Sequence, residues 1–383
     1  MKERIENITE IIRSYDLKTM NFRLIIYCFI LSIIGILAIN SAASEDYVKK
    51  QIFGLCLGLI VMFFFSLVKY EYISRYYWLL YLINILCLLA VNFFGTSISG
   101  AKRWIFIGGL QIQPSELSKL FLLIFISALL ASNRQSLNSL KFLIFAIITF
   151  AVPIALIMLE PDLSTSIVII TMFCVIIFIG KFHFKVIKNV LLVVLPILAV
   201  IIALIIILPA DKNILPVYQY NRLVGFFDSE NEEAEKIRYQ QENSVIAIAG
   251  GSVSGKGLNN NSITSVKNAE FISEPHTDFI FTIVGEELGF LGSMAVIILI
   301  SLIVIECFRI GLRARENIGR CIAIGYGSLI GMQAFINLGV VTMILPNTGL
   351  TLPFVSYGLS SLITSFLGIG IVLNIGLRKK IVV

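Results

Sequence analysis

The feature that most constrains this chain is a succession of apolar runs, each long enough to cross a bilayer as helix, which takes about 20 residues. They fall at 22–42, 51–68, 76–94, 117–132, 141–159, 163–180, 188–209, 277–308, 318–345 and 353–377. Ten spans predict an all-α polytopic membrane protein. Composition agrees, with 57% hydrophobic and only 14% charged residues across 383 positions. A soluble domain carries about 25% charged residues. An outer-membrane barrel is excluded too, because its strands alternate in polarity.

Orientation follows from lysine and arginine in the short connections. With the N-terminus inside, Lys69, Arg75, Arg134, Lys141, Lys181, Arg309, Arg313 and Arg378 all fall in the cytoplasm. Only Lys49, Lys50, Lys102, Arg103 and Lys119 occupy short outer segments. Both termini are expected in the cytoplasm, with one large outer loop at 210–277 within a single membrane domain. The net charge of +6 therefore reflects topology and lipid headgroups rather than nucleic acid. The stretch up to Arg23 has no apolar core with a small-residue cleavage site, so no signal peptide is expected. Two histidines argue against a histidine metal centre, and the six cysteines read as small packing residues.

Within the outer loop, Ser229 and Glu232 fit a capping box. Ile237, Val245 and Ile248 predict an amphipathic helix over 230–249 on the membrane surface, ended by Gly250-Gly251. An irregular, mobile stretch is expected from there to 268. Gly250-Gly-Ser-Val-Ser-Gly-Lys-Gly257 almost matches a phosphate loop. Gly257 stands where a magnesium-binding hydroxyl is needed and no strand precedes it, so a nucleotide site is not expected.

Ionisable residues in spans are costly and face a cavity or a partner. Here they gather at outer helix ends. Pro114 and Glu116 suit a helix start, whereas Lys119 opposes the dipole there. It either snorkels to the interface or pairs with a carboxylate or phosphate in an outward cavity, with Asp278 the candidate partner. Glu286 and Glu287 are too far from Asp278 along a helix to form a carboxylate dyad with it. They read as buried, paired groups, one of them facing the cavity. Two prolines and two glycines interrupt 345–358, and broken backbone at membrane depth lines a cavity or is buried in protein. On these residues alone, a transporter and a lipid-modifying enzyme both stay open.

The runs Gly100-Ala-Lys-Arg-Trp104, Gln113-Pro-Ser-Glu-Leu-Ser-Lys119, Glu160-Pro-Asp-Leu163, Pro275-His-Thr-Asp-Phe-Ile-Phe281, Gly285-Glu-Glu-Leu-Gly289 and Pro353-Phe-Val-Ser-Tyr-Gly358 resemble the SEDS (shape, elongation, division and sporulation) family of RodA and FtsW. The resemblance implies a peptidoglycan glycosyltransferase that polymerises lipid II at the outer membrane face beside a class B penicillin-binding protein. It makes Asp278 the essential residue, acting as a base or holding a divalent cation (magnesium or manganese). It places Lys119, Arg103, Trp104, Glu116, His276, Tyr357 and Ser356 about the substrate. The alternatives are a lipid II flippase and a non-catalytic scaffold for a transpeptidase. Three positions depart from the family pattern: Glu274-Pro275 reverses the usual order, Leu359 replaces a glycine, and Ser164 replaces another.

Overall fold

A computed structural model describes residues 20–98, 101–107, 110–180, 232–260 and 271–377, with Phe182, Lys188, Leu192, Tyr220, Arg222, Phe226 and Ser265 singly. In chain order the described elements are α1 (Phe22–Ala42), α2 (Glu45–Leu67), α3 (Tyr70–Arg75), α4 (Tyr77–Phe94), β1 (Thr96–Ile98), β2 (Ala101–Ile107), β3 (Leu110–Ile112) and α5 (Pro114–Ser132). There follow α6 (Leu140–Leu159), α7 (Leu163–Ile179), α8 (Glu232–Gly250), α9 (Ile280–Arg313), α10 (Asn317–Val341) and α11 (Leu359–Leu377). Eight of these helices are long and apolar enough to cross a membrane, and α7 is a shorter apolar helix. Nine of the ten expected spans thus correspond to described helices. The span at 188–209 and the capping Ser229 lie outside the described residues.

The centre of the bundle is α5, α10 and α11, whose spans are mostly buried in protein. The outer helices expose apolar side chains instead, such as Phe93 and Phe94 on α4, as a lipid-facing surface requires. Backbone groups freed inside the apolar region find side-chain partners. Pro153 cannot donate to the Thr149 carbonyl one turn earlier, and the Tyr81 hydroxyl fills that role at 2.8 Å. Buried Asn374 donates to the Ser66 carbonyl at 2.7 Å and accepts from the Tyr70 amide at 3.0 Å. It thereby clips the end of α2 to the start of α3.

Three expectations are corrected. First, the connection from α4 to α5 is a small antiparallel sheet, ordered β1-β2-β3, in which Thr96 pairs with Trp104. Its strands are too short for alternation to stand out in the sequence. Second, the expected helix is present as α8, but Val245 is not on its inward face. Its buried positions are Gln241, Ser244 and Ala247, while Val245 and Ile246 are exposed. Gln241 donates to the carbonyls of Val340 and Leu345 at 2.8 and 2.9 Å, and Ser244 to that of Val341 at 2.8 Å. Polar contacts from Gln241 and Ser244 dock this helix together with Ala247 and Ile248, which pack against the core. Third, residues 251–258 are not a loose tether but pack as turns against α9.

Candidate active site

A cavity of about 590 Å³ opens at the end of the bundle that the lysine pattern assigns to the outside. Such a volume is in the range of ligand sites. Its wall is contributed by α2, β2, the segment 273–279 before α9, the broken segment 347–351 and the start of α11.

Asp278 lines the cavity one residue before the cap of α9. Its backbone is fixed by Asn337 on α10, which donates to the Asp278 carbonyl at 2.7 Å and to that of Leu350 at 2.6 Å. One buried amide thus ties the Asp278 segment to the broken segment. There Gly349 has φ +71°, and its Cα faces both the Asp278 carboxylate and the Arg222 guanidinium. His276 also lines the cavity, its ring tilted against those of Tyr47, with centroids 4.4 Å apart, and Tyr357, with centroids 5.5 Å apart. Burial lowers its pKa, against the opposing pull of Glu274 and Asp278. The Tyr357 amide donates to the His276 carbonyl at 2.9 Å.

Arg103 reaches the cavity from β2, beside Trp104. Its Nε donates to the Glu160 carbonyl at 3.0 Å, its Nη2 to the Pro161 carbonyl, and its Nη1 lies 4.0 Å from Asp162. Asp162 is buried and organises this corner. It accepts from Gln113 and Ser115, both at 3.1 Å, and caps α7 through the Thr165 amide at 3.2 Å. Next to it Glu160 is 1% exposed, and neither carboxylate oxygen has a hydrogen-bond partner. Burial pushes its pKa up to about 9, Asp162 adds to the rise, and Arg103 pulls against it.

Of the residues expected about the substrate, Asp278, Arg103, Trp104, His276 and Tyr357 share this cavity, whereas Lys119, Glu116 and Ser356 do not line it. Lys119 does not pair with Asp278. Its ammonium sits 2.8 Å from Glu116 and donates to Gln333 at 2.8 Å, buried beneath the cavity floor. The helix geometry explains this, because residues three apart share a face. Ser356 is buried and accepts from the Leu352 amide at 2.7 Å, so it shapes the turn. Glu286 and Glu287 are buried, and neither lines the cavity.

Sequence reasoning missed Tyr47, Lys50 and Phe53, which line the cavity from the first turns of α2. Their spacing of three is the available signal. The departures from the family pattern have local roles. Ser164 donates to the Thr348 carbonyl at 2.6 Å, Leu359 packs over Gly54, and Glu274 adopts φ 51°. Among the described residues no three His, Cys, Asp or Glu side chains gather to hold a metal. The described residues thus form no protein-built cation cage, and no step below is routed through a metal.

Fold and cavity together define a multi-pass membrane protein with a polar site, lined by two carboxylates, Glu274 and Asp278, and three cations, at one end of its bundle. Residues 18–381 match the cell cycle protein family of FtsW, RodA and SpoVE, and the chain belongs to that family. A probable peptidoglycan glycosyltransferase FtsW of Wigglesworthia glossinidia brevipalpis is 32% identical, over 92% of each chain. Its counterpart from Bacillus subtilis is 30% identical, over 97% of this chain and 93% of the relative. Among solved structures, a chain of a peptidoglycan synthase complex superposes with a TM-score of 0.76 at 27% identity, covering 93% of this chain and 97% of that one. The rod shape determining protein RodA of Thermus thermophilus shares the fold, with a TM-score of 0.65 at 23% identity over 93% and 96% of the two chains.

Proposed function

We propose that this chain is a peptidoglycan glycosyltransferase that polymerises lipid II at the outer face of the cytoplasmic membrane, with Asp278 as general base. The observation that carries this reading is the placement of Asp278 on the same cavity wall as Arg103, Lys50 and Arg222, in a chain of this family. The acceptor sugar's 4-hydroxyl attacks the anomeric carbon of the donor. A new C–O bond forms there, the bond to the diphosphate breaks, and its electron pair leaves with the undecaprenyl diphosphate. The hydroxyl proton passes to the Asp278 carboxylate. The guanidinium and ammonium groups steady the charge that develops on the departing diphosphate. The rings of Tyr47, Trp104 and Tyr357 on the same cavity offer apolar faces to the sugars.

The bundle beneath the cavity favours a polymerase over a flippase. Around Glu116, Lys119, Tyr326 and Gln333 the free space is about 10 Å³, room for one water at most. A class B penicillin-binding protein is the partner this reading takes, supported by the likeness to a chain of a peptidoglycan synthase complex. The test is a gel assay of purified protein with lipid II, alone and with its cognate transpeptidase. Glycan strands support the reading. Absence of strands in both, with lipid II crossing vesicle membranes, contradicts it.

A further inference from the structure

The glycine-rich run Gly250–Gly257, a false phosphate loop in sequence, completes the hydrogen bonding of α9 at a break. A continuous helix would pair the Phe290 and Leu291 amides with the Glu286 and Glu287 carbonyls. Gly289, with φ 65° and ψ −159°, separates them. All four groups turn instead to the loop. The amides of Lys256 and Gly257 donate to the Glu286 and Glu287 carbonyls at 2.9 and 3.0 Å, and the Ser252 and Val253 carbonyls accept from Phe290 and Leu291 at 2.9 and 3.2 Å. Within the loop Gly255 donates to Gly251 at 2.9 Å, the i to i+4 bond of a helical turn. The loop is a surrogate turn, inserted where α9 is open.

Side chains hold it there. The Lys256 ammonium lies 2.7 Å from the buried Glu286 carboxylate, and the Asn259 amide donates to Glu287 at 3.3 Å. A methyl group on Gly255 would overlap the Glu287 carbonyl, and one on Gly289 the Gly255 amide nitrogen. The outer half of α9, Ile280 to Leu288, begins two residues after Asp278. The break at Gly289 separates it from the inner half, which at 24 residues is long enough to span the membrane by itself.

We propose that this loop is a splint that aims the outer half of α9, and with it Asp278, and that Lys256 is the positioning residue that keeps it docked. The kinked helix with the loop in place and a straight helix with the loop released each satisfy the four groups at the break. Glycine adopts either φ at position 289 without steric cost. The two arrangements are therefore discrete, and the Lys256–Glu286 pair selects the kinked one. The effect on catalysis rests on the polymerase reading above, while the two arrangements do not.

Amide hydrogen exchange on the intact membrane protein separates them. Gly289→Ala, which disfavours the positive φ, is expected to expose the Lys256 and Gly257 amides while Phe290 and Leu291 stay protected by a continuous helix. Lys256→Met should raise exchange in the loop about tenfold and cut glycan synthesis through kcat with little change in KM, and Lys256→Arg should restore both. Loop and helix amides exposed together in Gly289→Ala, or unchanged loop exchange in Lys256→Met, overturns the splint. If wild-type protein makes no glycan, the polymerase reading fails and the exchange patterns alone decide this one.

Discussion

Lys119 and Glu116 form an ion pair of 2.8 Å, one turn apart on the most enclosed of the eight described membrane-spanning helices. Both are nearly inaccessible, Lys119 being 3% exposed. Gln333 accepts from Lys119 and passes the link on, donating to the Thr351 carbonyl at 3.0 Å. A polar chain thus runs from the core to the broken segment in the cavity wall.

Breaking such a pair from one side leaves a buried charge uncompensated, at a cost of about 3–5 kcal/mol. Lys119→Met and Glu116→Gln should each sharply lower the melting temperature in detergent. The double variant should lose clearly less than the two losses combined. Additive losses would mean that the two groups do not act as a unit.

Arg103 makes its contacts through three different guanidinium nitrogens. A lysine cannot reproduce that fork. Arg103→Lys should therefore lower thermal stability, because the Glu160 and Pro161 carbonyls lose their donors, and lower glycan synthesis about tenfold or more, because the cation facing the departing charge is displaced. Activity equal to wild type would remove Arg103 from the reaction.

Glu160 supplies a pH signature. Its folded-state pKa of about 9 lies above its unfolded value, so the folded state keeps a proton that the unfolded chain releases. Its contribution to stability is fully present at acid pH and declines as pH rises from the unfolded value towards 9. Glu160→Gln abolishes that decline. The melting temperature of the variant relative to wild type should rise steadily between pH 5 and 9, and a constant difference would refute the assignment.

At Gly349 the positive φ costs an L-residue about 1–2 kcal/mol, and a new methyl group would press on Arg222 beside Asp278. Gly349→Ala should fold at somewhat reduced stability and lose most glycan synthesis. Full activity would show that the Arg222 position is immaterial.

The spans were legible because apolar length is dictated by the bilayer and each run carries its own signal. Arg103 and Trp104 were placed at the site by the family resemblance, whereas Asp278 was legible as a costly ionisable group at the outer end of a run. The partner of Lys119 was not, since a neighbour on its own helix and a distant carboxylate satisfy the same charge. Tyr47 and Lys50 precede the apolar run at 51–68 and read as a short outer connection, whereas the helix starts at Glu45 and the approach of α11 turns that face into a wall. The docking of α8 escaped periodicity because two of its three buried positions, Gln241 and Ser244, are polar and the third is the small Ala247. The loop at 250–257 looked irregular because its hydrogen-bond partners lie some thirty residues on, beside Gly289.

The central claim is that Asp278 takes the proton of the acceptor hydroxyl. The most direct measurement compares wild type and Asp278→Ala, purified with the cognate transpeptidase and given lipid II, by gel separation of the glycan products. The account predicts long strands from wild type and none from the variant, with equal expression and melting temperature. Strands of normal length and rate from Asp278→Ala would contradict it.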